Sequence, residues 1–166
     1  MNKKRILLVD DEISFTRLLK LNLEQTGDYQ VRVENWAENA LMAAREFRPD
    51  LVLLDVMMPR MIGGGVAALL RADASLKETP IVFLSASVGK KWVQEHQGIV
   101  GGFPFIAKPA SVEEVTACIE QHLLEMAPEC RSSLNAESAS SPLSARSADS
   151  SARPVNPFSE PAVPAD

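Results

Sequence analysis

Four short apolar runs in this chain each stop on a residue that can do chemistry. Ile6-Leu7-Leu8-Val9 runs into Asp10 and Asp11, Leu51-Val52-Leu53-Leu54 into Asp55, Ile81-Val82-Phe83-Leu84 into Ser85, and Phe103-Pro104-Phe105-Ile106-Ala107 into Lys108. Runs this short and this rich in branched aliphatics read as strands buried on both faces of a parallel sheet. Parallel strands of one sheet end on a common edge, and open α/β sheets bind their ligands outside that edge. The pattern predicts a doubly wound α/β fold that gathers three carboxylates, one hydroxyl and one ammonium in one place.

Three crowded carboxylates repel one another, so they take up a proton or hold a cation. A hard, oxygen-ligated ion such as Mg²⁺ suits them, because it accepts one or two carboxylates, keeps several waters and leaves room for phosphate oxygens. A carboxylate beside such an ion can be a nucleophile and become an aspartyl phosphate. The charge on the moving phosphoryl group then needs a clamp. Lys108 offers a point charge and Ser85 a hydroxyl donor, so the residue types fit phosphoryl transfer to Asp55.

Taken together, Asp10-Asp11, Asp55 followed by Met58-Pro59 and Gly63, Ser85, and Lys108-Pro109 with Phe105 three residues ahead resemble the receiver domain of two-component response regulators, over roughly residues 3–126. The resemblance implies a flavodoxin-like, doubly wound five-stranded parallel sheet with helices on both faces. It implies that Asp55 is the phosphoacceptor, that Asp11 is a direct Mg²⁺ ligand, and that Asp10 acts largely through water. The Met57 backbone carbonyl would complete the protein's share of the metal shell. Ser85 and Lys108 would contact the phosphoryl oxygens, and Phe105 would rotate with the state of Ser85. The implied partners are a histidine kinase or histidine phosphotransfer protein and a downstream protein target, with a phosphorylation-dependent homodimer among the assemblies open to such a domain. It would assist its own phosphorylation and dephosphorylation without being a dedicated enzyme.

Helical signals fall between the runs. One helix is expected from Glu12 to Thr26, with Phe15, Leu18, Leu19 and Leu23 as its apolar stripe and Gly27 as its stop. After a short strand, Gln30–Val33, a second helix spans Ala37–Phe47 and ends before Arg48-Pro49. A third is expected over Val66–Asp73, with Gly63-Gly64-Gly65 ahead of it as a mobile loop behind Asp55. A fourth lies near Lys90–Gln97, where Trp92 is flanked by bases. Ser111 starts the last helix as an N-cap, with Glu114 three residues on in a capping-box pattern; Val115, Ile119 and Leu123 repeat at helical spacing.

Residues 3–127 are therefore read as the receiver domain and 128–166 as a tail. From Ser132 onward, 22 of the last 35 residues are serine, alanine or proline. Such a segment cannot bury enough apolar surface to offset its ordering entropy, so disorder is expected there. The preferred reading is a stand-alone receiver without an output domain.

Charge narrows the partners. The net charge is −5, with 14 basic and 17 acidic residues before Pro128 and 3 and 5 after it. Neither part is basic, which argues against electrostatically driven nucleic-acid binding. No run approaches the ~20 apolar residues of a membrane span. The four-residue apolar run behind Asn2-Lys3-Lys4-Arg5 is too short for a signal peptide. A cytoplasmic protein is expected. Cys118 and Cys130 make no disulfide framework, and His96 and His122 have no metal partner at useful spacing.

The chain departs from the family pattern in places. Ile62 replaces the polar residue usual before Gly63, and the stretch from Ser87 to Phe105 is glycine-rich. Met57 and Ser87, two residues after Asp55 and Ser85, cannot act as bases, so slow self-dephosphorylation is expected. Phe105 lacks the hydroxyl of the more usual tyrosine. The competing reading is a receiver-like adaptor that binds its target without phosphate. A haloacid-dehalogenase-like phosphatase would need a second acid where Met57 stands.

Overall fold

The computed structural model describes residues 2–87, 89, 99–100 and 102–125. The helix expected near 90–97 with Trp92 and His96, and the segment 128–166 with Cys130, lie outside the described residues. The element order is β1 (Lys4–Val9), α1 (Ile13–Gln25), β2 (Tyr29–Glu34), a 3-10 turn (Ala37–Asn39) running into α2 (Ala40–Phe47), β3 (Leu51–Asp55), α3 (Gly63–Ala72), β4 (Ile81–Ser85), β5 (Ile99–Val100), β6 (Phe103–Ala107) and α4 (Val112–Glu125). The strands form one sheet in the order β2-β1-β3-β4-β6-β5. Its first five strands are parallel, and β5 adds a two-residue antiparallel edge against β6.

Alternation along each strand divides the core in two. Leu7, Val9, Val52, Leu54, Ile81, Phe83 and Phe105 face the layer that holds Ala40, Ala43 and Ala44 of α2 and Val66, Ala67 and Leu70 of α3. Ile6, Leu8, Leu51, Leu53, Val82, Leu84 and Ile106 face Leu19 and Leu23 of α1 and Val115 and Ile119 of α4. Each buried Leu or Ile contributes about 1.5–3 kcal/mol relative to exposure. Two such layers explain why the central strands show apolar runs without alternation.

Leu18 does not join the apolar stripe: it is 59% exposed. The buried face of α1 is centred on Leu19 and Leu23 and turns toward Thr16. The Thr16 hydroxyl accepts a hydrogen bond from the Asn35 amide at 3.1 Å, so a satisfied polar group takes the place expected of a leucine. At the free edge of the sheet, the Val31 N–H donates to Glu24 Oε1 at 3.0 Å and the Val31 carbonyl accepts from Lys20 Nζ at 2.8 Å. The capping box of α4 is reciprocal. The Glu114 N–H donates to Ser111 Oγ at 3.2 Å, and the Ser111 N–H to Glu114 Oε2 at 2.8 Å.

The glycine triplet behind Asp55 is the first turn of α3 rather than a loop. No side chain caps that turn, as Ile62 at the N-cap foretold. Backbone fixes it instead: the Gly63 N–H donates to the Val56 carbonyl at 2.9 Å. A Cβ on Gly63 would stand 2.2 Å from the Asp55 carbonyl oxygen, whereas one on Gly65 would meet only the flexible Met61 side chain at 3.2 Å. Gly63→Ala should therefore lose about 3 kcal/mol to overpacking, while Gly65→Ala should be neutral or gain up to about 1 kcal/mol in helix propensity. Urea unfolding of the two variants checks the ranking, and equal losses would show that the close approach at Gly63 is not what matters.

Candidate functional site

From β1 the chain passes to β2 on one side, and from β3 to β4 and β6 on the other. Where the connections part, a crevice opens outside the strand ends. Asp10 follows β1 directly and Asp55 is the last residue of β3, so both carboxylates stand at that crevice. Lys108 follows β6 and reaches across to them. Its Nζ donates to Asp55 Oδ1 at 2.7 Å and also to Asp10 Oδ2. The Lys108 side chain is 10% exposed, Asp55 6% and Asp10 wholly buried.

Each strand end is tied down by the same local device. Asp10 Oδ1 accepts the Glu12 N–H at 2.9 Å, Asp55 Oδ2 accepts the Met57 N–H at 2.7 Å, and Ser85 Oγ accepts the Ser87 N–H at 3.2 Å. In each case a short polar side chain bonds the backbone two residues on, which fixes the direction in which the loop leaves. The Lys108 N–H donates to the Ser85 carbonyl at 2.7 Å, joining the last two strand ends. Asn35, just after β2, donates to the Asp10 carbonyl at 2.6 Å as well as to Thr16. Neither Asn35 nor Thr16 carried a sequence signal, since a polar residue after a strand is ordinary.

Burial holds the Asp10 carboxyl above the usual carboxylate range, and the bonds from Lys108 and the Glu12 amide only partly offset it. Burial alone would lower the Lys108 ammonium, but its bonds to Asp10 and Asp55 outweigh this and raise it. Asp11 is exposed. Among the described residues no three acid, histidine or cysteine side chains are gathered as a metal cluster. What closes up is a pair of carboxylates on one ammonium. Their oxygens fit a hard cation in kind, and an incoming cation would compete with Lys108 for them.

Ser85 is buried one strand away from Asp55. Phe105 lies within the core at 8% exposure. Its ring stacks on Phe83 at 4.9 Å and 27°, and Phe83 meets Phe103 edge-on at 5.3 Å and 83°. The Met57 side chain is 63% exposed while its amide holds Asp55.

Comparisons with known proteins agree with this geometry. The family model described as the response regulator receiver domain matches residues 6–120. A probable transcriptional regulator ycf27 from Cyanophora paradoxa is 38% identical over 123 residues, covering 74% of this chain and 49% of the relative. The DNA-binding response regulator MtrA of Mycobacterium tuberculosis is 38% identical over 122 residues, covering 73% and 51%. This chain thus spans about half the length of the curated relatives it matches. Among solved structures, the chemotaxis protein CheY4 of Vibrio cholerae is similar with a TM-score of 0.62 and 28% identity, over 72% of this chain and 98% of that one. A putative response regulator from Chloroflexus aurantiacus gives 0.63 and 25%, over 74% and 99%.

Lys108→Met should leave two buried carboxylates without their counter-charge, at a cost of about 3 kcal/mol at pH 7. Asp10 already binds its proton more tightly folded than unfolded, and removing Lys108 strengthens that preference. Protonation then favours the folded state, so the deficit should shrink as pH falls through the raised Asp10 value. Urea melts of both proteins from pH 7 to 4.5 check this, and a deficit that stays constant would mean the lysine supports the fold by packing alone.

Proposed function

This chain belongs to the response regulator receiver domain family, and on that premise we propose that Asp55 accepts a phosphoryl group from a histidine kinase or histidine phosphotransfer protein. The supporting observation is the Lys108 ammonium held against Asp55 Oδ1 at 2.7 Å and against Asp10. A nucleophilic oxygen, a second carboxylate and a mobile positive charge meet there at the switch point of the sheet. The product is a signalling state rather than a released compound, so the domain works as a switch and not as a dedicated enzyme.

Transfer requires a free Asp55 oxygen. The Met57 amide holds Oδ2 and Lys108 holds Oδ1, so the lysine is the group that must move. Sliding from Oδ1 to the incoming phosphoryl oxygens keeps its charge where negative charge accumulates. Asp10, Asp11 and Asp55, with the Met57 backbone carbonyl, are the groups that would hold Mg²⁺. When bound, the cation would supply further neutralisation of the phosphoryl oxygens. Ser85 is the hydroxyl that would close on the phosphoryl group, with Phe105 as the ring that senses it. The signal leaves through protein–protein contact, in keeping with a net charge of −5, and a phosphorylation-dependent homodimer is one form that contact could take. Among the described residues no helix is long and apolar enough to cross a membrane; the cytoplasm remains the compartment this reading assigns.

Incubation with acetyl phosphate and Mg²⁺ should raise the intact mass by one phosphoryl group, and Asp55→Asn should show no rise. An unmodified wild-type protein would favour the phosphate-independent adaptor. The receiver unit is assigned to residues 3–127 and the remainder, 128–166, to a tail outside the chemistry. Truncation after Arg131 should accordingly leave the phosphorylation rate and Tm nearly unchanged; a Tm lower by several degrees would place part of that segment on the domain.

A further inference from the structure

A lysine ammonium carries three N–H bonds. In this protein Asp10 Oδ2 and Asp55 Oδ1 take two of them. The third side of the ammonium meets an aromatic face: Lys108 Nζ lies 4.5 Å from the centroid of the Phe15 ring. Phe15 is half-buried on α1 and packs against the cluster that contains Leu19 and Leu23, so the ring has a fixed seat. At this distance the negative face of the ring attracts the ammonium.

The three partners differ in one respect. Both carboxylates change their commitments during the proposed reaction: Asp55 becomes an acyl phosphate, and Asp10 is among the groups that would hold a cation. A neutral ring on a packed helix does neither. A lysine stem is flexible and its ammonium strongly hydrated, so a lysine released by both carboxylates would lose its place without a third hold. We infer that Phe15 is a positioning residue for Lys108, and that its ring face keeps the ammonium over the crevice while the hydrogen bonds pass from Asp55 to the phosphoryl oxygens. This rests on the reading of Asp55 as phosphoacceptor. In that step an Asp55 oxygen bonds to phosphorus as the bond from phosphorus to the donor atom breaks, and from a phosphohistidine donor the imidazole nitrogen leaves with the electron pair. From acetyl phosphate, acetate leaves with the electron pair.

Phe15→Leu keeps an apolar side chain and removes the aromatic face, while Phe15→Tyr keeps the face. In the full chain with ¹³C-labelled lysine, and with Lys108 assigned through Lys108→Arg, the Lys108 ε-methylene signals should be ring-shifted in the wild type and in Phe15→Tyr. In Phe15→Leu they should return to the range of the other lysines. Phosphorylation by acetyl phosphate with Mg²⁺ should slow roughly tenfold in Phe15→Leu and recover in Phe15→Tyr. A Phe15→Leu protein that phosphorylates at the wild-type rate overturns the inference. So does a Phe15→Tyr protein as slow as Phe15→Leu, because the effect would then come from packing. If the wild type accepts no phosphoryl group, the reading of Asp55 fails. The Lys108 signals then decide the ring contact by themselves: a ring shift lost in Phe15→Leu supports it and an unshifted wild type overturns it.

Discussion

One ammonium shared between two buried carboxylates fixes the relative positions of three strand ends far apart in sequence. Bringing Asp10, Asp55 and Lys108 out of water is unfavourable for each group alone, and any one of them left without the others would be a buried, uncompensated charge. The cluster is therefore strict about geometry even where its net contribution to stability is small. It requires β1, β3 and β6 to end at matching heights, which the parallel register of these strands provides. It also leaves two negative charges against one positive, a formal imbalance that attracts a further cation. The compromise that holds the crevice together is the one that makes it receptive.

Much of this was legible in the chain, because the runs of buried residues carry both the sheet and the order of the site. Asp10, Asp55, Ser85 and Lys108 could be placed at one edge from strand periodicity alone, and the capping box at Ser111 and Glu114 from local spacing. Leu18 was misplaced because four apolar residues at helical spacing do not say where the centre of a buried face falls. The buried face is instead the one that carries Thr16, whose hydroxyl meets Asn35, 19 residues away in sequence. The start of α3 was set three residues late because glycine lowers helix propensity, whereas here the closeness of Asp55 to Gly63 demands glycine. Both misses concern packing between segments, which no local signal records.

The aromatic stack shows how a familiar position changes meaning with its neighbours. Phe105 alone would be a ring able to sit in or out of the core. Seated on Phe83 of β4, with Phe103 of its own strand edge-on to that same ring, it is the end of a three-ring array that joins β6 to β4 and returns to β6. The array continues to α3, where the Arg71 guanidinium lies 5.6 Å from the Phe103 centroid and also donates to the Thr79 carbonyl at 3.1 Å. Rotating Phe105 thus disturbs contacts that reach the C-terminal end of α3, on the face of the sheet opposite α4. Stacked rings contribute about 0.5–1.5 kcal/mol per pair beyond burial, enough to bias which position the ring prefers.

The bonds from Lys20 and Glu24 to Val31 bear on how molecules of this protein behave at close quarters. β2 is an outer strand, and an outer strand offers unpaired backbone groups to which another chain can add a strand of its own. Here the side chains of α1 satisfy both outward groups of Val31. At the opposite border the outer strand β5 spans just Ile99–Val100, and a strand that short offers little backbone for another chain to pair with. Extension of the sheet from one molecule into the next is discouraged on both sides. A copy approaching along β2 meets the side chains of α1 rather than a free backbone at Val31, which disfavours fusing two sheets into one across that edge.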